Sequence, residues 1–431
     1  MAREHSIRQV WDDLAFPELT RSLKLALGPT KVALCFLFVL MLCGVGFVMD
    51  LMTRSVTVLP VPALAAAGQE DSFLLKPDEL SAYLESPFRT REYIQIYKQR
   101  SPGRGVFSTL WNYFASRFNH ATTRLLELGT SNLFANLWNV LANLWLCFRA
   151  LAWAIEFHPF YSVIYFTFAF LLFCFFGGAI CRCAALDFSR NERPGLGEVL
   201  QFARERYTSF LTAPLIPLGI LAGFSVFLML VGVLGNIPRA GELIIALLIG
   251  ILFLLGLAMT VLLFATLAGG CLLFPAVAYE RTTGLDAIGR AFSYVINQPV
   301  WMVFYSLIEL ILGTLFYLFI RLFVYLILRL SYLMLSVGFR SEQIDKLHRI
   351  WTEPTFFHLL NAPLKATTWS EQAAAFLIQL NLLFIVGLVM ALIVSYFFSS
   401  ITVLYGLMRK KVDKIGFTQV DIQLEKIQKT S

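Results

Sequence analysis

Residues 243–274 read LIIALLIGILFLLGLAMTVLLFATLAGGCLLF, without one charged side chain. A helix rises about 1.5 Å per residue and the hydrocarbon core of a bilayer is about 30 Å thick, so about 20 apolar residues suffice to cross it. This run is longer than that, and it predicts a membrane helix that tilts, kinks or projects. Five further runs have the same character: 32–49, 160–181, 214–235, one that starts near residue 300, and 373–408. The composition agrees. Of 431 residues 58% are hydrophobic and only 15% charged, with a mean hydropathy of +0.70. A soluble chain needs about a quarter of its residues charged to cover its surface. The expected fold is therefore all-α, a polytopic transmembrane bundle of about six spans.

The spans divide the chain into a cytoplasmic amphipathic arm (1–31), a first span (32–52), an extracytoplasmic helical segment (53–159), a bundle of spans two to six with their loops (160–408) and a basic tail (409–431). Orientation follows from lysine and arginine. Lys24 and Lys31 precede span one, Arg182, Arg190, Arg193, Arg204 and Arg206 follow span two, and Arg409, Lys410, Lys411 and Lys414 follow span six. With six spans these segments share one side, predicted to be the cytoplasm, so both termini are expected there. The net charge of +7 lies beside apolar runs. It points to anionic membrane lipids at that face as partners, not to nucleic acid. The polar stretch before span one makes that run a signal anchor in expectation, not a cleaved leader.

Within 53–159, a short helix is expected from Pro77, a favourable first-turn residue. Phe107, Leu110, Trp111, Phe114, Phe118, Ala121, Leu125 and Leu128 recur at spacings of three and four, as on one helix face. Residues 133–155 are apolar enough to challenge the span count, but Asn132, Asn136, Asn139 and Asn143 draw a polar stripe along them. The expectation is an interfacial helix with Trp138, Trp145 and Trp153 toward lipid; a seventh span or a helix packed within a soluble cap are the alternatives.

Three cytoplasmic segments share a layout of acid, amphipathic helix, proline and span. They run from Glu18 to Pro29, from Glu198 to Pro214 and from Asp286 to Pro299. Acid is favoured at a helix start and proline near a break; internal duplication is the alternative. The stretch Phe274-Pro275-Ala276-Val277-Ala278-Tyr279-Glu280, then Asp286 to Val295 and Pro299, together with Gly177-Gly178 and Arg182, resembles loops of an uncharacterised, planctomycete-type family of bacterial polytopic inner-membrane proteins. More distantly it is similar to the membrane domain of some glycerophosphodiester phosphodiesterases. The resemblance covers about a third of the chain. It implies a bacterial inner-membrane location and transfers no activity.

Glu309 lies eight residues past Trp301, an expected interface anchor, and so roughly 12 Å deep at 1.5 Å per residue. An ionised carboxylate at that depth costs at least about 2.5–3.5 kcal/mol, so Glu309 must be protonated, paired or in contact with water. Arg321, twelve residues on, is expected to snorkel toward the far interface. Asp50 and Asp187, at span ends, read as interface charges. In span six Gly387, Ala391, Ser395 and Ser399 follow one another at intervals of four, a stripe that admits a close neighbouring helix; Gly219 and Gly223 form a shorter version in span three. Cys181 and Cys183 form a C-x-C pair with no second pair or histidine cluster to complete a zinc site, so no metal and no cofactor is expected. No H-E-x-x-H, G-x-S-x-G or phosphate loop is present in the sequence. The functional expectation is a non-enzymatic scaffold, assembly or envelope-organising factor, with a protein partner or a second copy of the chain. The alternative is a transporter or lipid-handling protein with a cavity at Glu309.

Overall fold

The computed structural model describes residues 16–52, 79–87, 90, 105–126, 133–237, 240–339, 344–356 and 368–417. Among these all regular structure is helical, and six helices are long and apolar enough to cross a membrane. The protein is an all-α, multi-pass helical membrane protein. Its chain divides into two compact units, one formed by Met1–Val39, Leu171–Pro354 and Leu360–Ser431, the other by Leu40–Phe170 and Thr355–Leu359.

Helix α1 (Phe16–Ala26) lies in the first unit and is followed by α2 (Pro29–Met52), which opens on a proline at its first position and belongs to the first unit up to Val39 and to the second from Leu40. The other helices on which the first unit is built are α6 (Pro159–Arg190) from Leu171 on, α7 (Leu196–Glu205), α8 (Tyr207–Leu234), α9 (Gly241–Gly269), α10 (Leu273–Glu280), α11 (Gly284–Asn297), α12 (Pro299–Gly338), α13 (Ile344–Ile350) and α14 (Trp369–Val412). The overlong charge-free run is resolved by a break. At Gly270–Leu272 the helix tightens into a single 3-10 turn before α10 continues, at a Gly269-Gly270 pair that resists bending less than bulkier residues would. Arg281, in the left-handed region at φ 52°, ends α10, and Thr283 caps α11 by accepting from the Asp286 amide.

The three lead-in helices form as α1, α7 and α11. The second differs from expectation in where it ends. The break falls at Arg206, and Pro214 and Pro217 lie inside α8. Each proline removes one backbone hydrogen bond but leaves the helix helical within its apolar surroundings. Gly219 and Gly223 are exposed, and among the described residues no helix comes within 4 Å of where a Cβ would stand.

Helices α12 and α14 have 40 and 44 residues, roughly 60 Å and 66 Å of rise, twice what hydrocarbon requires. One end of each is tied by polar contacts. Thr368 and Glu371 form a reciprocal capping box at the start of α14. Glu371 pairs with Arg349 of α13 at 3.0 Å, Tyr332 of α12 meets His348 Nδ1 at 2.7 Å, and Arg329 pairs with Glu353. At the other end α14 is nearly enclosed: from Phe398 to Arg409 every residue is buried.

The second unit contains α3 (Glu79–Glu85), α4 (Val106–Leu126) and α5 (Leu133–Phe157). Its core joins Leu80 and Tyr83 to Val106, Phe107 and Leu110, and these to Ala150, Trp153, Ala154, Tyr161 and Tyr165. Two expectations are corrected here. Trp153 does not face lipid. It is fully buried, its indole N–H donates to Glu79 Oε1 at 3.2 Å, and Ala150 and Ala154 beside it leave room for that approach. Trp138 and Trp145 are exposed, α5 is not among the six long apolar helices, and the side chains of Asn132, Asn136 and Asn139 lie outside the described residues. The buried face of α4 takes in Phe107 and Leu110 as expected, with Trp111 and Phe114 packed against the same core. It then turns to Tyr113, Ser116 and Thr122, while Phe118 is exposed; Leu125 and Leu128 lie outside the described side chains, and so does Pro77.

Asp50, near the end of α2, accepts from the Phe107 and Ser108 amides at 3.0 and 2.9 Å, from Ser108 Oγ at 2.7 Å and from Tyr161 at 3.1 Å. A carboxylate there satisfies N–H groups that the first turn of α4 leaves without an intrahelical partner. Asp50→Ala is expected to lower stability by about 1–2 kcal/mol, with Asp50→Asn between it and the wild type, as for loss of an N-cap. Thermal unfolding of the purified protein in detergent measures this; equal stability of all three proteins would show that the cap holds nothing.

Candidate functional site

Glu309 lies in the first third of α12 and is 5% exposed. Its Oε2 accepts from Ser22 Oγ of α1 at 3.0 Å and from Tyr396 OH of α14 at 2.7 Å, and the same tyrosine reaches the Glu309 carbonyl at 2.7 Å. Three helices far apart in sequence thus meet on one carboxyl group. Gly313, one turn on, makes this possible: a Cβ there would stand 2.6 Å from Tyr396 Cε1. The tyrosine ring stacks on Phe316, with centroids 5.3 Å apart. Ser22 also faces the Leu19 carbonyl at 2.7 Å. Each hydroxyl therefore has one proton and two acceptors. A donor on Glu309 completes the set, which a carboxylic acid or an amide supplies.

The stripe on α14 faces the same neighbours. Ala391, Ser395 and Ser399 are fully buried, and Ser395 Oγ donates to the Ala26 carbonyl at 2.7 Å. Ala26 ends α1, so this bond satisfies one of the carbonyls that a helix terminus leaves open. Gly387 is half-buried, with Phe36 of α2 3.2 Å from where its Cβ would stand. Leu392, which the spacing places off the stripe, packs on the cluster of Ala26, Phe316, Ile320, Val389 and Tyr396. Arg321 does not snorkel. It is 3% exposed, and its guanidinium lies against Tyr317, which the i, i+4 spacing brings alongside.

A second polar centre was not foreseen. Glu280, 1% exposed, accepts from Tyr405 OH at 2.7 Å and pairs with Arg290 and with Arg409. Arg409, also 1% exposed, lies over the Tyr279 ring. Tyr294 donates to Asp413 beyond the end of α14; burial and that carboxylate push its phenol up. Arg182 donates to the Ala278 carbonyl at 2.8 Å and covers the Phe202 ring. In the same unit Lys31 (1% exposed) pairs at 2.7 Å with Asp187, near the end of α6. A signal for Glu280 and Arg409 existed: each is the first charge after a charge-free run, 243–279 and 372–408, and their signs are opposite.

Among the described residues no three His, Cys, Asp or Glu side chains gather as metal ligands, and all seven cysteines are free thiols. No protein-family model, no curated protein and no solved structure matches the chain. What these residues offer chemically is hydrogen bonding and ion pairing between helices.

Two tests follow from this geometry. Glu309→Gln is expected to keep near wild-type stability because an amide keeps a donor and an acceptor, whereas Glu309→Leu should lose about 1–2 kcal/mol, the scale of interhelical bonds in membranes. Equal melting temperatures for all three proteins would show that the carboxyl joins nothing. Ala391→Phe and Ser395→Phe should sharply reduce the yield of monodisperse protein, with a milder effect at Leu388, which is 39% exposed. Size-exclusion profiles in detergent compare them, and tolerance at all three positions contradicts the packing.

Proposed function

We propose that this chain is a non-enzymatic scaffold, assembly or envelope-organising protein of a bacterial inner membrane. One observation carries the reading: the one carboxyl deep within α12 joins α1, α12 and α14 through Ser22 and Tyr396. A polar group held by three helices favours a fixed bundle over a moving pathway. A second reading, transport or lipid handling through Glu309, draws on its Oε1, which is buried without a hydrogen-bond partner among the described residues. The cytoplasmic placement of both termini is supported by the positive segments and by contacts at one end of the first unit, where Arg21 reaches the Phe188 carbonyl and Phe188 meets Phe417. The bacterial location rests on the sequence resemblance. The partners proposed are anionic lipids at the basic face and a protein, or a second copy of this chain, held by the scaffold.

Reconstitution in proteoliposomes separates the two readings. The scaffold reading expects wild-type protein and Glu309→Gln to show the same background proton and solute flux, and cross-linking in native membranes to return one defined partner in fixed stoichiometry. Flux that Glu309→Gln abolishes would replace it with transport. Topology has its own test. In a cysteine-free background, single cysteines at Ser72 and Thr430 should react with impermeant reagents from opposite sides of the membrane. Labelling of both from one side overturns the six-span arrangement.

A further inference from the structure

In the second unit, one face of α4 carries Tyr113, Ser116 and Arg117. The tyrosine is 2% exposed and the serine 6%. Tyr113 OH, Ser116 Oγ and Arg117 Nε are all buried atoms without a hydrogen-bond partner among the described residues. The Arg117 guanidinium stands over the Tyr113 ring, 4.9 Å from its centroid. From α5, Cys147 and Arg149 come within electrostatic range of the same phenol. Burial pushes that phenol up, and Arg117, by its charge and by a hydrogen bond toward the phenol oxygen, and Arg149, by its charge, oppose the push.

An orphaned buried polar atom costs the full desolvation of that group, so native structures supply nearly all of them with partners. Here the protons of two hydroxyls and a guanidinium nitrogen, within a little more than one helical turn, have no acceptor among the described residues, and Arg117 can only donate to the Tyr113 oxygen. Two positive charges share the site, and neither Arg117 nor Arg149 pairs with a carboxylate among the described residues. Arg149 instead donates to the Tyr83 carbonyl and lies over the Tyr83 ring, while Glu156, seven residues further along α5, accepts from the Tyr83 hydroxyl. Hydroxyls beside a guanidinium are donors, and what they lack in common is an acceptor carrying negative charge and several oxygens. Arg117 is only half-buried, so the site is reachable from the surface. We propose that Tyr113, Ser116 and Arg117, with Arg149 opposite, form a binding site for a phosphate group, with Arg117 its charged anchor and the hydroxyls supplying neutral hydrogen bonds. The site goes beyond the scaffold reading and does not depend on it.

A phosphate group can come from a lipid headgroup or from solution, and the test separates them. Full-length protein in phosphate-free detergent is titrated with inorganic phosphate and, separately, with dioctanoyl phosphatidylglycerol, with chloride and dioctanoylglycerol as controls, while the melting temperature is followed. A saturable rise with phosphate alone assigns a small anion; a saturable rise with the phospholipid and not with dioctanoylglycerol assigns a headgroup. Arg117→Gln should weaken the apparent affinity for the effective ligand about tenfold or more, the worth of a charge-assisted bond. The double variant Tyr113→Phe with Ser116→Ala should weaken it about threefold to tenfold, the worth of neutral bonds, and it carries the test if Arg117→Gln does not fold. The proposal is overturned if neither ligand gives a saturable shift, or if the folded variants bind as wild type. A double variant more stable than wild type with unchanged affinity would mean that the hydroxyls are simply buried, which also overturns it.

Discussion

Hydrocarbon gives a polar group nothing to bond to, so every donor and acceptor at depth must be answered from within the protein. That constraint explains why the ends of this chain are bound to its middle. Ser22 and Ala26 belong to a helix that precedes the first span, yet they meet Glu309 and Ser395, within the fifth and sixth. The small residues of α14 permit the approach and the hydroxyls fix it. Gly313 shows the same logic at one atom, since the hydroxyl of Tyr396 reaches Glu309 only because no side chain occupies the space of its ring. Packing and hydrogen bonding act together here because lipid supplies no hydrophobic drive between helices.

The six long helices were legible because hydropathy is local: each run declares itself whatever the rest of the chain does. The depth of Glu309 was legible for the same reason, from one tryptophan and a fixed rise per residue. Its partners were not, because they lie 287 and 87 positions away and no local period encodes such separations. Pro214 was misplaced because a proline signals a break in water, while an apolar environment keeps the remaining hydrogen bonds and carries the helix through. Trp153 shows the opposite limit. An indole has an apolar body and one donor, which suits an interface and equally a core with an acceptor in it. Only the position of Glu79 decides between them.

Charges at span ends follow a related pattern. Asp50, Asp187, Glu280 and Arg409 each fall where an apolar run stops, and sequence alone marks them as boundary groups. In the structure each has a defined partner: helix amides for Asp50, Lys31 for Asp187, and each other for Glu280 and Arg409. Buried pairs of this kind add little net stability against apolar replacements, but loss of one member leaves a stranded charge. They therefore serve best to fix which helix ends meet.

The bond from Ser395 to the Ala26 carbonyl spans 369 positions. During synthesis at about 5–20 residues per second, the helix that ends at Ala26 is complete roughly 20–70 s before Ser395 exists. Until then the Ala26 carbonyl lacks its Ser395 donor, although Ser22 already has Glu309 of α12 within reach. The amphipathic shape of α1 suits that interval, since such a helix can rest on a bilayer surface. The helix is complete long before its last hydrogen bond can form, so a nascent chain stalled before α14 would hold Ser22 against Glu309 while the Ala26 carbonyl stays open.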